Sequence, residues 1–78
     1  MEQPRTRSLE YLADMLSDNL GNEKAGALVA EAASKLGLGS EMSQDQALDV
    51  LERIAIEPGL VGITARFAKT RLHLRWNQ

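Results

Sequence analysis

The chain has no cysteine, so neither a disulfide nor a thiolate-bound metal can brace it. Aromatic residues are nearly absent, with one Phe, one Trp and one Tyr in 78 residues. A core must therefore come from Leu, Ala, Ile and Val, and an AVILMFWYC content of 44% supplies enough of them for a compact helical protein. No apolar run approaches the roughly 18 residues of a membrane span, and no membrane partner is expected. The opening stretch MEQPRTRSLEYLADM has no apolar signal segment, which makes cytoplasmic residence the expectation. At this length a single domain is near the lower limit of independent stability, so packing or association must do what staples do elsewhere.

Catalytic signatures are also missing. There is no serine elbow and no Walker lysine. Gly37-Leu38-Gly39 lacks the third glycine and the preceding strand of a dinucleotide loop. Asp18–Asn22 fails as a calcium loop, because leucine occupies the third ligand position and glycine comes too early. His73 is the only histidine and has no cysteine to share a metal with, so it reads as a surface group. Asp45, Asp49 and Glu52 on the third helix lie opposite the apolar stripe, as Glu10, Asp14 and Asp18 do on the first, which marks both sets as solvated faces. No cofactor, no metal and no enzymatic activity are expected.

One further absence is local. After Glu57 there is no acidic residue, while Arg66, Lys69, Arg71 and Arg75 lie in that stretch. Residues 1–57 hold five cations against eleven acids, a balance of −6, and residues 58–78 carry +4, which together give −2. A basic end holding the only Phe, Trp and His, on an acidic body, points to a surface that meets something anionic.

Three helices follow from spacing and punctuation. Ser8 is placed to cap the first, whose Leu9, Leu12, Ala13, Leu16 and Leu20 recur at helical intervals up to Gly21. Asn22 is placed to cap the second, with Ala25, Leu28, Val29, Ala32 and Leu36 inward, and Gly37-Leu38 reads as a Schellman ending. Ser43-Gln44-Asp45-Gln46 is a capping box for the third, whose Ala47, Leu48, Leu51, Ile54 and Ala55 run up to Pro58-Gly59. Glu31–Lys35 and Asp49–Arg53 are spaced for ion pairs along these helices.

The tail reads with period two. Val61, Ile63, Ala65 and Phe67 alternate with Gly62, Thr64 and Arg66, then Leu72, Leu74 and Trp76 alternate with Arg71, His73 and Arg75. The parity change between them suggests a hairpin in which Phe67 faces Leu72, Ala65 faces Leu74 and Ile63 faces Trp76. Lys69-Thr70 is a poor two-residue turn, and a loop from Ala68 to Arg71 keeps the same pairing. On a helical wheel the same apolar residues split into two groups, with Thr64, Arg71 and Arg75 between them. The expectation is an α+β fold: a flexible lead at 1–7, then one domain over 8–78 with helices at about 9–20, 23–36 and 44–57 and a C-terminal β-hairpin at about 61–67 and 71–76. An all-α four-helix domain is the alternative.

Function is expected at that tail, with Arg66, Lys69, Arg71, His73, Arg75 and Trp76 as partner-binding residues. The leading reading is a small regulatory or interaction module that binds a protein partner or a second copy of itself. A homodimer joined through the free edge of the hairpin would extend its core. Two roles for the cations do not need a partner: pairing with the acidic row Glu10, Asp14 and Asp18, or simple solvation. The competing reading is a DNA- or RNA-binding regulator using the cationic face. Ala55, Gly59 and Ala65 resemble the small-residue spacing of a helix-turn-helix, which would place Arg66, Lys69 and Arg71 on its second helix.

Overall fold

The structure is a computed structural model and describes residues 6–76; residues 1–5 of the expected lead lie outside the described residues. The elements run β1 (Arg7–Ser8), α1 (Leu9–Leu20), α2 (Asn22–Lys35), β2 (Glu41–Met42), α3 (Gln44–Ala55) and α4 (Leu60–Arg75). The tail is thus a helix, and the fold is the all-α four-helix alternative with one tiny sheet. The expected hairpin at 61–67 and 71–76 is wrong, and a dimer sheet built on its edge goes with it.

The reason lies in how two apolar stripes project onto a linear sequence. Val61, Ala65, Ala68, Leu72 and Trp76 follow helical spacing and face inward. Ile63, Phe67 and Leu74 face outward. Read along the chain, Ile63-Ala65-Phe67 and Leu72-Leu74-Trp76 go out-in-out and in-out-in, which imitates strand alternation. The residue content favours the helix as well, since Ala, Leu, Lys and Arg lose little on becoming helical. A lone hairpin would also have been marginal.

The other helices form where capping and periodicity call for them. The Ser43 hydroxyl accepts from the Gln46 amide at 3.2 Å, and the Gln46 side chain accepts from the Ser43 amide at 2.9 Å, completing the capping box. α2 ends in a Schellman turn: the Leu38 amide donates to the Ala33 carbonyl, the Gly37 amide to the Ser34 carbonyl, and Gly37 takes φ 73°. Ser8 has the extended backbone of an N-cap but makes no side-chain bond. α3 stops at Ala55, two residues short of the expected end. Glu31 and Lys35 pair at 3.9 Å, while Asp49 and Arg53 form no ion pair.

Packing closes these helices into a ring. α1 lies against α2 and α4, and α3 lies against α4 and α2. Leu12, Leu16, Val29, Val50, Leu51 and Leu72 are fully buried at its centre. The two short strands pair antiparallel, Arg7 with Met42 and Ser8 with Glu41, and hold the start of α1 against the approach to α3. Met42 is buried by that contact.

α4 meets the end of α3 so closely that Gly62 has no room for a side chain. A Cβ there would run into the carbonyl oxygens of Glu57 and Ala55. Thr64, on the flank of the inner face, is buried, and its hydroxyl has no hydrogen-bond partner. These two residues make opposite predictions for urea unfolding. Gly62→Ala should lose about 1–3 kcal/mol by overpacking. Thr64→Val should gain about 1 kcal/mol, because it keeps the shape and removes an unsatisfied buried group.

Candidate interaction surface

α4 is apolar on two sides, and only one is covered. Its inner face carries small residues, Ala65 and Ala68, which let it settle closely on α1 and α3. On the opposite side Leu60, Ile63, Phe67 and Leu74 are 56%, 48%, 64% and 71% exposed, and Ile56 in the preceding turn is 77% exposed. The four positions on α4, with Thr70 between the last two, follow the three-and-four spacing of a heptad seam. Together these five side chains expose on the order of 500 Å² of apolar surface, as large as the largest patch on a typical monomer, which is often a functional one.

Two depressions border the seam. On the α1 side an open cleft of about 520 Å³ lies between Asp18, Asn19, Phe67, Thr70 and Arg71. At the end of α3 a smaller hollow of about 200 Å³ involves Ile56, Glu57, Ile63 and Arg66. Side chains of an approaching helix could enter either. By contrast, a niche between α2 and α3 holds about 70 Å³, too little for an organic ligand.

The six residues expected to bind a partner are dispersed by the fold. Arg66, His73 and Arg75 are exposed beside the seam and form no ion pair among the described residues. Lys69 turns to α3, where its Nζ lies 3.3 Å from Glu52 Oε1. Arg71 spans to α1, its Nη2 donating to the Met15 carbonyl at 2.9 Å. The acidic row Glu10, Asp14 and Asp18 receives none of these cations as an ion pair.

Trp76 is not on the surface at all, being 1% exposed. Its ring meets Tyr11 edge-on at 5.7 Å and 88°. Arg7 stacks its guanidinium 4.8 Å from the Tyr11 centroid and 5.8 Å from that of Trp76, and its Nη2 donates to the Trp76 carbonyl at 2.8 Å. The cluster ties the start of the described chain to its end. Trp76 serves stability here, and its expected place in a partner contact has to be given up.

What sequence reasoning missed is the outward set Leu60, Ile63, Phe67 and Leu74. The two-group wheel was the available signal, since a helix with two apolar sides can bury only one inside a domain this small. No group of three or more His, Asp or Glu side chains among the described residues could hold a metal ion. No helix among them is long and apolar enough to cross a membrane. No family model, no curated protein and no solved structure matches the chain.

The two faces of α4 should separate cleanly in equilibrium unfolding. Leu72→Ala, on the inner face, should cost about 2–5 kcal/mol. Phe67→Ser, on the outer face, should stay within about 0.5 kcal/mol of the parent. A large loss at Phe67 would show that the seam is internal to the domain.

Proposed function

We infer that this protein is a non-enzymatic interaction module that works by docking a protein helix, or a second copy of itself, along the outer seam of α4. The observation that carries this reading is the heptad-spaced exposure of Leu60, Ile63, Phe67 and Leu74 on a helix already fixed by its other side. Preorganisation matters here, because a rigid helix pays little ordering entropy when a partner arrives. Covering the patch would contribute on the order of 10 kcal/mol at about 25 cal/mol per Å². Association itself costs roughly 4–15 kcal/mol. Apolar contact alone therefore comes close to breaking even, and the polar border must help decide whether and what the seam binds. A cytoplasmic location belongs to the same proposal, supported by the cysteine-free composition.

A second reading has one observation in its favour. α3, the Ile56–Gly59 turn and α4 follow one another as the two helices of a helix-turn-helix do, with Gly59 in the turn. Such a motif reads DNA with the N-terminal residues of its second helix. Here those positions are Leu60 and Ile63, both exposed and apolar, and Lys69 and Arg71 are engaged inside the domain. Nucleic-acid binding through Arg66 and Arg75 therefore stays the weaker proposal. It calls for duplex affinity that falls steeply with salt and a shallower salt slope after Arg66→Ala and Arg75→Ala.

For the interaction reading, the measurement is backbone amide shifts during two titrations: self-dilution, and addition of amphipathic helical peptides. Residues 60, 63, 67, 70 and 74 should move first in at least one of them. If those amides stay still in both, the seam is not a binding surface.

A further inference from the structure

We propose that the occupant of the α4 seam is an acidic amphipathic helix, one with apolar residues at heptad spacing bordered by Asp or Glu. This rests on the reading of the seam as a docking surface and adds the chemistry of what docks. Charge complementarity around the stripe selects this occupant.

At about 100° per residue, Leu60, Ile63, Phe67, Thr70 and Leu74 fall within an arc of about 80° on α4. Arg66 and His73 border that arc on one side, Arg71 and Arg75 on the other. No acidic residue lies anywhere on α4. Both borders are thus basic: Arg66 and His73 are exposed on one, and on the other Arg75 is exposed while Arg71 is already held by the Met15 carbonyl. Charges flanking a heptad seam choose partner and register when two helices pack. Asp18 on α1 lines the cleft with Phe67 and Arg71, and Glu57 in the turn before α4 lines the hollow with Ile63 and Arg66, but neither forms an ion pair with a border cation.

A second copy fits the apolar geometry but not the charge. Leu60 and Leu74 lie seven residues to either side of Phe67, so two antiparallel copies of α4 would superpose Phe67 on the dyad and leucine on leucine. That arrangement sets Arg66 beside its own equivalent, each one residue from the dyad. A parallel arrangement sets Arg66 and His73 on the side of the other copy's Arg71 and Arg75. Either way cation meets cation, and like charges across a helix pair disfavour association. A partner with carboxylates on both borders turns each of these contacts favourable. An anionic lipid surface is the poorer fit, because the exposed arc is narrow and α4 is pinned along its opposite side. Helices that lie in a membrane present a broad apolar face.

The test uses the whole chain and two designed 21-residue helical peptides with Leu at the seam positions. One carries Glu at every border position and the other Lys. Binding is read by fluorescence anisotropy at about 0.1 M salt. The Glu peptide should bind at least ~10-fold more tightly than the Lys peptide, with the gap narrowing as salt rises. Phe67→Ser should abolish binding of both, and Arg66→Glu with Arg75→Glu should reverse the preference.

Equal affinity for the two peptides, or a preference for Lys, overturns the acidic-partner proposal while leaving the seam a docking surface. So does sedimentation showing a dimer that Phe67→Ser dissolves and the Glu peptide cannot displace. Binding to phosphatidylglycerol vesicles with neither peptide bound overturns it in favour of a membrane. If no peptide, vesicle or second copy engages the seam, the interaction reading itself fails along with its partner.

Discussion

The structure depends on the seating of α4 against α1 and α3. Ala65 and Ala68 bring the helix in, Gly62 presents no side chain to strike the carbonyls of Ala55 and Glu57, and Leu72 and Trp76 fill the space behind them. Once that side is committed, every other residue of α4 has its direction fixed by helical geometry. Four large apolar side chains are thereby sent to the surface with no choice of rotamer that could hide them all. The exposed seam follows from the close inner contact.

The cations are sorted by the same event. Lys69 and Arg71 lie near enough to α3 and α1 to be taken up by Glu52 and the Met15 carbonyl. Arg66, His73 and Arg75 are carried to the solvent side. His73 and Arg75 also occupy the last turn of α4, where positive charge is favourable against exposed carbonyls, so part of their role is local. At the far end Arg7 closes over Tyr11 and Trp76, linking β1 to the end of α4. This latch helps hold the pose that exposes the seam, because α4 cannot roll without breaking the Trp76 contact.

Much of the first three helices was legible because their signals are local. The Ser43–Gln46 box is a hydrogen-bonded unit within four residues, and the Gly37-Leu38 ending needs only α2 itself. The tail was misread for a specific reason. Ile63, Ala65 and Phe67 alternate whether they belong to a strand or to a helix with two apolar sides, and no neighbour in sequence separates the cases. The expected binding set suffered likewise. Its charges lie on the tail as expected, but period two puts Phe67 and Trp76 on one apolar face, whereas the packed helix buries Trp76 and leaves Phe67 exposed.

The sequence by itself determined the starts of α1 and α3, the Schellman stop of α2, the absence of a staple and the segregation of positive charge into the last quarter of the chain. These are matters of composition, capping chemistry and short-range spacing. Only the tertiary structure decided which apolar stripe of α4 is buried, because the two stripes are comparably hydrophobic and differ mainly in size. Gly62, Ala65 and Ala68 went inward where the helices touch, with Leu72 and Trp76 filling the space at the far end, and Leu60, Ile63, Phe67 and Leu74 were left exposed. That choice is made by packing between elements far apart in sequence, so no window along the tail contains it.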